Sequence, residues 1–240
     1  MLYLIGLGLD VDGISARGLE VAKRCKKVYL DNYTVDFPYA LGELAEIIDK
    51  KIFPADREFV ESALLVDEAK KMDVALLVYG SPLTATTHIS LIQEAKKCEV
   101  KFEIIYNASI LDAIAETGLQ IYKFGKITSM PKWNKEKNFT PDSFMKIVHE
   151  NQSMLAHSLI LIDIGLEFDD ALIQLEEASE KQNIKLKRIV VCQGLGTKSK
   201  KIKYREIGWL KNYKKIKKPY CIIIPSKLHF LEKEILDEFG

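Results

Sequence analysis

Short apolar runs alternate with amphipathic stretches along the first half of the chain. Leu2–Ile5, Val28–Tyr33, Lys51–Pro54, Val74–Tyr79 and Lys101–Ile105 read as strands. The run Val74-Ala75-Leu76-Leu77-Val78-Tyr79 is apolar without interruption, which suits a parallel strand covered by helices on both faces of its sheet. Between these runs lie helical patterns: Ala16 to Cys25 behind a capping Ser15, Tyr39 to Asp49, a single helix behind Asp56 through Ala63 to Lys71, a helix from His88 to Cys98 with Thr86 or Thr87 as its cap, and Ile110 to Glu116. Regular alternation of this kind predicts a parallel sheet wrapped by helices.

After Gly118 the rhythm changes. Residues 126–138 are mixed, with Pro131, Trp133 and several lysines, before a helix begins near Asp142 behind Pro141. Ser158–Ile164 is a strongly apolar strand, Asp169–Lys181 an amphipathic helix, and Leu186–Gln193 another strand. Tyr204–Ile207 and Pro219–Pro225 read as strands and a last helix starts at Lys227. The pattern therefore predicts two α/β domains: residues 1–117 with a parallel sheet, and residues 118–240 with a mixed one. Internal repeats and low-complexity tracts are absent.

Composition narrows the class. The chain has 240 residues, 27.3 kDa and 48% apolar residues, enough for packed cores. A formal net charge of +1 supplies no overall pull toward nucleic acid or an anionic membrane, so electrostatic recognition must come from local patches. Cys25, Cys98, Cys192 and Cys221 are scattered with no Cys-x-x-Cys pair, which argues against a zinc site and fits reduced thiols and a cytoplasmic location. The apolar amino terminus lacks a basic leader and soon meets Asp10 and Asp12, so it reads as a first strand rather than a signal peptide. No apolar stretch is long enough to span a bilayer.

The candidate chemistry centres on Gly80-Ser81-Pro82-Leu83-Thr84-Ala85-Thr86-Thr87-His88, where small and hydroxyl-bearing residues follow the most apolar strand. Gly80 permits a turn and close approach, and open parallel sheets bind ligands at such carboxyl edges. Gly6-Leu7-Gly8 makes a similar turn after the first strand, but Val11 stands where a dinucleotide fingerprint wants its third glycine, so a hydride-transfer enzyme fits poorly. No nucleophile triad, paired carboxylate or metal cluster stands out. Histidine is a common general base, yet the place of His88 at a helix start behind two threonines reads as structural, and His149, His157 and His229 make no metal site. Ten basic residues between Lys198 and Lys218, interleaved with Tyr204, Trp209 and Tyr213, read first as a solvated face and second as a grip for RNA or an acidic protein.

The loop from Gly80 to His88 resembles the Gly-Asp-Pro-x-x-Ala-Thr-Thr-His loop of diphthine synthases, a branch of the tetrapyrrole-methylase-like S-adenosylmethionine methyltransferases. Met1 to Leu9, Asn107-Ala108-Ser109-Ile110, Gly118 to Gly125, Leu161 to Ile164 and Ile224-Pro225-Ser226-Lys227-Leu228-His229 resemble the same family in the same order. The likeness spans the chain and is weaker from about Gly165 to Tyr220. It implies a two-lobed fold with S-adenosyl-L-methionine in the cleft between the lobes, contacts at Leu9, Ser81, Thr84, Ser109 and Ile110, and further contacts at Ile162, Leu195 and Tyr220. It also implies a homodimer that methylates the amino group of a 3-amino-3-carboxypropyl histidine on translation elongation factor 2. Two departures stand out. Ser81 replaces the family aspartate, for which Asp10, Asp12, Asp112 or Asp163 are candidate stand-ins, and Gln193-Gly194-Leu195-Gly196-Thr197 replaces an Ala-Arg-x-Gly run. A small-molecule methyltransferase of tetrapyrrole type, and an impaired relative that binds RNA or a translation factor, stay open as alternatives.

Overall fold

All of residues 1–240 are described by the computed structural model, in which the chain divides into two compact units, Met1–Leu111 and Asp112–Gly240. In the first, β1 (Leu2–Gly6), α1 (Ala16–Arg24), β2 (Lys27–Asp31), α2 (Leu41–Ile48), β3 (Ile52–Ala55), α3 (Arg57–Glu61), α4 (Leu64–Lys71), β4 (Val74–Val78), α5 (Ile89–Lys97) and β5 (Phe102–Ile105) follow in turn. The strands pair in parallel in the order β3-β2-β4-β1-β5. Their side chains alternate between two cores. Leu2, Leu4, Val74, Leu76 and Val78 pack with Val60, Leu65 and Leu91 of α3, α4 and α5, while Tyr3, Ile5, Ala75 and Leu77 pack with Val21 of α1 and Leu44 and Ile48 of α2. Both faces are thus buried, as the unbroken apolar runs require.

This topology also locates a crevice. From β1 the chain crosses by α1, on one face, toward β2 and β3; from β4 it crosses by α5, on the other face, to β5. β1 and β4 are neighbours, and where neighbouring parallel strands send their connections to opposite faces an open α/β sheet leaves a gap at its carboxyl edge.

Two helix expectations need correction. The single helix behind Asp56 is two: Asp56 caps α3 through the Phe59 N–H at 2.8 Å, and the helix breaks at Ser62, whose backbone is extended. The Ser62 hydroxyl donates to the Phe59 carbonyl at 2.8 Å and accepts from the Leu64 N–H at 3.3 Å, giving the backbone local partners that compete with the helix. Neither Thr86 nor Thr87 caps α5. His88 occupies that position in helical conformation, while Thr86 Oγ1 donates to the Pro82 carbonyl at 3.1 Å and Thr87 Oγ1 to Glu61 at 3.2 Å. Ser15, by contrast, caps α1 through the Gly18 N–H at 3.1 Å.

α6 (Ile110–Ala113) crosses the division between the units. The second unit continues with two 3₁₀ turns, β6 (Thr128–Met130), a third 3₁₀ turn, α7 (Ser143–Ser153), β7 (Ser158–Ile162), α8 (Phe168–Lys181), β8 (Arg188–Gln193), β9 (Lys201–Glu206), α9 (Ile207–Asn212), β10 (Tyr220–Ile224) and α10 (Phe230–Glu238). Its sheet has the order β6-β7-β10-β8-β9 and is antiparallel except for β6 on β7. The mixed stretch after Lys126 conceals β6. Ile207 starts a helix rather than ending a strand, and β9 instead begins earlier, alternating buried Ile202 and Tyr204 with Lys201, Lys203 and Arg205. Phe144, Met145 and Val148 of α7 and Leu172 and Leu175 of α8 cover Ile160, Val191 and Ile222. No helix is long and apolar enough to cross a membrane.

Two buried polar networks brace this unit. Asn151 Oδ1 accepts from the Lys126 N–H at 2.9 Å, and its Nδ2 donates to the Lys126 carbonyl at 2.8 Å and to Ser158 Oγ at 3.0 Å. Gly125 leaves room for that amide, since a Cβ there would lie 2.2 Å from Asn151 Oδ1. Elsewhere Glu232, which is buried, pairs with Lys123 and accepts from the N–H groups of Gln120 at 3.0 Å and His229 at 2.7 Å. His157 Nδ1 accepts from the Ser226 N–H at 2.9 Å, so its Nε2 carries the proton and donates to Glu232 at 3.2 Å. Burial alone would push the Glu232 carboxyl up, but Lys123, the two amides and His157 hold it down at about 2. Burial likewise drives the His157 ring below its usual range, against the pull of Glu232.

Gly125→Ala is expected to displace the Asn151 amide and to cost about 2–4 kcal/mol in urea unfolding, the range for breaking a buried hydrogen-bond network. For Glu232 the depressed folded value means that its stabilisation is complete above the unfolded carboxylate value near ~4.3 and is lost as the pH falls toward 2. The stability gap between the natural chain and Glu232→Gln should therefore narrow over that window and stay constant above it, as measured by unfolding at stepped pH.

Candidate functional site

At the carboxyl ends of β1 and β4 the two departing loops are joined by backbone. The Gly8 N–H donates to the Gly80 carbonyl at 3.2 Å, and the Gly80 N–H donates to the Gly8 carbonyl at 2.8 Å. Both glycines have φ near +70°, a region where a Cβ is strained. The β5 loop is tied in by Asn107, whose Nδ2 donates to the carbonyls of Gly6 at 3.1 Å and Gly13 at 2.9 Å. Tyr79 Oη donates to the Leu9 carbonyl at 3.1 Å. Three loops from three adjacent strands are thereby stitched into one surface.

Five of the expected contact residues lie on it. Leu9 (buried) follows β1, Ser81 (buried) and Thr84 (half-buried) follow β4, and Ser109 (buried) and Ile110 (half-buried) follow β5. Ser109 Oγ accepts from the Leu111 N–H at 3.2 Å, capping α6 as a serine at a helix start does. The missing side chain of Gly80 faces Ser109: a Cβ there would sit 3.6 Å from the Ser109 Cα. These five residues set apolar side chains and small hydroxyls beside the two glycine turns.

The other three gather at one end of the second sheet. Ile162 ends β7, Tyr220 starts the antiparallel β10 between β7 and β8, and Leu195 follows β8. Tyr220 is buried, with its ring edge-on to Phe168 at 5.4 Å and its hydroxyl donating to the Leu166 carbonyl at 3.1 Å. Leu195 is buried between Gly194 and Gly196, both at positive φ, and Thr197 Oγ1 closes that turn on the Gly194 carbonyl at 2.7 Å.

Sequence reasoning assigned no role to Asn107 or Asp31. Asn107 lies in a matched segment, and its spacing from Gly6 and Gly13 carries no local signal. Asp31 ends β2 with a side chain that is fully buried, and its Oδ2 stands 3.2 Å from Nε2 of the equally buried His88. His88 Nδ1 lies 2.9 Å from the Pro82 carbonyl. Nδ1 is thus hydrogen-bonded and Nε2 lies near the Asp31 carboxylate without a hydrogen bond, and the ring is buried away from solvent. Of the acids that stood as stand-ins for the family aspartate, Asp10 accepts from the Val11 N–H at 2.8 Å and Asp163 from the N–H groups of Lys132 and Ile164, both at 3.0 Å.

Part of the basic segment is engaged. Lys200 pairs with Glu116, Lys211 with Glu176 and Lys218 with Glu167, while Arg205 lies over Trp209 at 5.0 Å and Trp209 stacks on Tyr213 at 4.9 Å. Cys192 and Cys221 face each other across β8 and β10 as free, buried thiols. No group of three or more His, Cys, Asp or Glu is placed to hold a metal ion.

Comparison with known proteins identifies relatives along the whole chain. The family model described as Tetrapyrrole (Corrin/Porphyrin) Methylases matches residues 1–208. A diphthine methyl ester synthase of Schizosaccharomyces pombe is 43% identical over 170 residues, 70% of this chain and 59% of that protein, so the chain matches under two thirds of that relative's length. A diphthine synthase of Methanocaldococcus jannaschii is 36% identical over 253 residues, covering 98% of this chain and 97% of the relative. A crystal structure of diphthine synthase superposes with a TM-score of 0.88 at 31% identity, over all of this chain and 95% of the other. On these matches the chain belongs to the tetrapyrrole (corrin/porphyrin) methylase family.

Proposed function

We propose that this chain is an S-adenosyl-L-methionine-dependent methyltransferase of the diphthine synthase kind, which methylates the amino group of a 3-amino-3-carboxypropyl side chain on a histidine of translation elongation factor 2. The observation that carries the reading is the stitched crevice where β1 and β4 diverge, built from two left-handed glycines and lined by Leu9, Ser81, Thr84, Ser109 and Ile110. The names and coverage of the relatives support the substrate class. Ile162, Leu195 and Tyr220 are proposed cofactor contacts as well. A homodimer in the cytoplasm completes the proposal.

When bound, S-adenosylmethionine supplies an electrophilic methyl group on a sulfonium. The residues of this chain bind and align. Ser81 and Ser109 would offer hydroxyls that both donate and accept, Leu9 and Ile110 would exclude water, and the absence of a Cβ at Gly80 would let the ligand approach the backbone closely. Methyl transfer is an in-line displacement, and holding nucleophile and methyl carbon in line is worth effective molarities of about 10⁵–10⁸ M. Such a reaction requires neither a metal nor a triad, in keeping with a site that is rich in backbone and poor in titratable groups.

The direct test is transfer of radiolabelled methyl from S-adenosylmethionine to elongation factor 2 carrying the aminocarboxypropyl histidine. Label on the factor is expected; no label on the factor, with label on a porphyrin precursor, would move the assignment to the small-molecule branch. Ser81→Asp restores the carboxylate of the family loop beside a cationic ligand. It is expected to tighten S-adenosylmethionine binding about tenfold or more, in line with roughly 1.5–3 kcal/mol for a hydrogen bond to a charged group, measured by calorimetry.

A further inference from the structure

Asp31 and His88 take no part in the chemistry above, yet both side chains are completely buried, one at the end of β2 and the other at the entry to α5. Between them they hold the central loop at several points. His88 Nδ1 donates to the Pro82 carbonyl at 2.9 Å, and the same carbonyl accepts from Thr86 Oγ1 at 3.1 Å. Asp31 stands 3.2 Å from His88 Nε2 and also accepts from the Tyr33 N–H at 3.2 Å and the Thr34 hydroxyl at 2.6 Å. The Tyr33 ring stands edge-on to the imidazole at 6.5 Å. Within the clamped segment the Thr84 N–H donates to the Ser81 carbonyl at 3.1 Å, and Ala85 adopts φ +55°. A residue with a Cβ holds that left-handed conformation only where its surroundings impose it.

A polar contact taken out of water contributes little net stability on its own, because desolvation offsets most of the attraction. What this pair does fix is geometry. We propose that Asp31 and His88 are positioning residues for the cofactor loop: anchored on the β2 end of the sheet, they hold Gly80–Thr87 in its bound shape, so that Ser81 and Thr84 meet the cofactor without an ordering step. The proposal rests on the assignment of this loop to S-adenosylmethionine. Preordering of this kind appears in affinity, because a loop that must be ordered on binding subtracts from it.

The test is calorimetric binding of S-adenosylhomocysteine to the full chain and to Asp31→Asn, His88→Ala and the double variant, with thermal unfolding of each. Val21→Ala, which removes core volume under α1 away from the loop, serves as the stability control. Each single variant is expected to weaken binding tenfold or more, with the loss in turnover assays falling on KM for S-adenosylmethionine rather than on kcat. The double variant should bind no more weakly than the worse single one, since the two residues act as one clamp. Val21→Ala should lower the unfolding temperature and leave affinity within twofold. The proposal is overturned if the single variants bind within twofold of the natural chain, if their losses multiply in the double variant, or if Val21→Ala weakens binding in proportion to its instability. Should His88→Ala not fold, Asp31→Asn, which keeps the shape of the side chain, decides by the same thresholds. Absence of binding by the natural chain would overturn the cofactor assignment and the clamp together, a result distinct from any of these.

Discussion

Two adjacent strands that send their chains to opposite faces of a sheet leave a gap at their carboxyl ends, and the gap is usable only if its two rims stay at a fixed separation. Here the rims are fastened by the reciprocal hydrogen bonds between Gly8 and Gly80, and the third loop is drawn in by the Asn107 amide. Each bond is worth only about 1 kcal/mol net. Together they satisfy the Gly8 and Gly80 N–H groups and the Asn107 amide, and they demand residues without Cβ atoms. A side chain at Gly6 would stand 2.7 Å from the Gly80 carbonyl oxygen and 2.9 Å from the Asn107 Cβ. The surface that results is made of main chain and small side chains, which suits a reaction driven by alignment.

Much of this was legible from residue order because the governing forces are local. The unbroken run from Val74 to Val78 can only be covered on both sides, so it announces a buried parallel strand. Ser15 and Asp56 cap the helices they precede because a short oxygen-bearing side chain reaches the free amides of the next turn. The break at Ser62 was not legible: the same hydroxyl chemistry that caps a helix also interrupts one, and tertiary context decides between the two outcomes. β6 is three residues of mixed polarity, too short for a period to appear, and α9 starts at Ile207 where an apolar residue continues the strand pattern.

The same divide runs through the site. The segment from Gly80 to His88 stands out by composition, whereas the partner that holds it, Asp31, lies 57 positions away from His88 and reads in sequence as an ordinary strand-end acid. Long-range polar pairing leaves no periodic trace, and only the fold brings the two residues together. The acids considered as replacements for the absent loop aspartate illustrate the converse. Asp10 and Asp163 are close in sequence to site residues, but their carboxylates are engaged by neighbouring backbone amides.

β9 closes one rim of the second sheet, and a strand in that place has a row of main-chain groups with no strand beyond it. Its outward positions carry Lys201, Lys203 and Arg205, and the Tyr204 N–H is taken by the Phe239 carbonyl at 3.0 Å. A second polypeptide approaching in extended form would meet like charges spaced along the border and a donor already taken by the carboxyl-terminal turn. Charged side chains along an edge strand are a feature that discourages strand-to-strand pairing, so the cations of β9 have a physical reason to be there that needs no RNA.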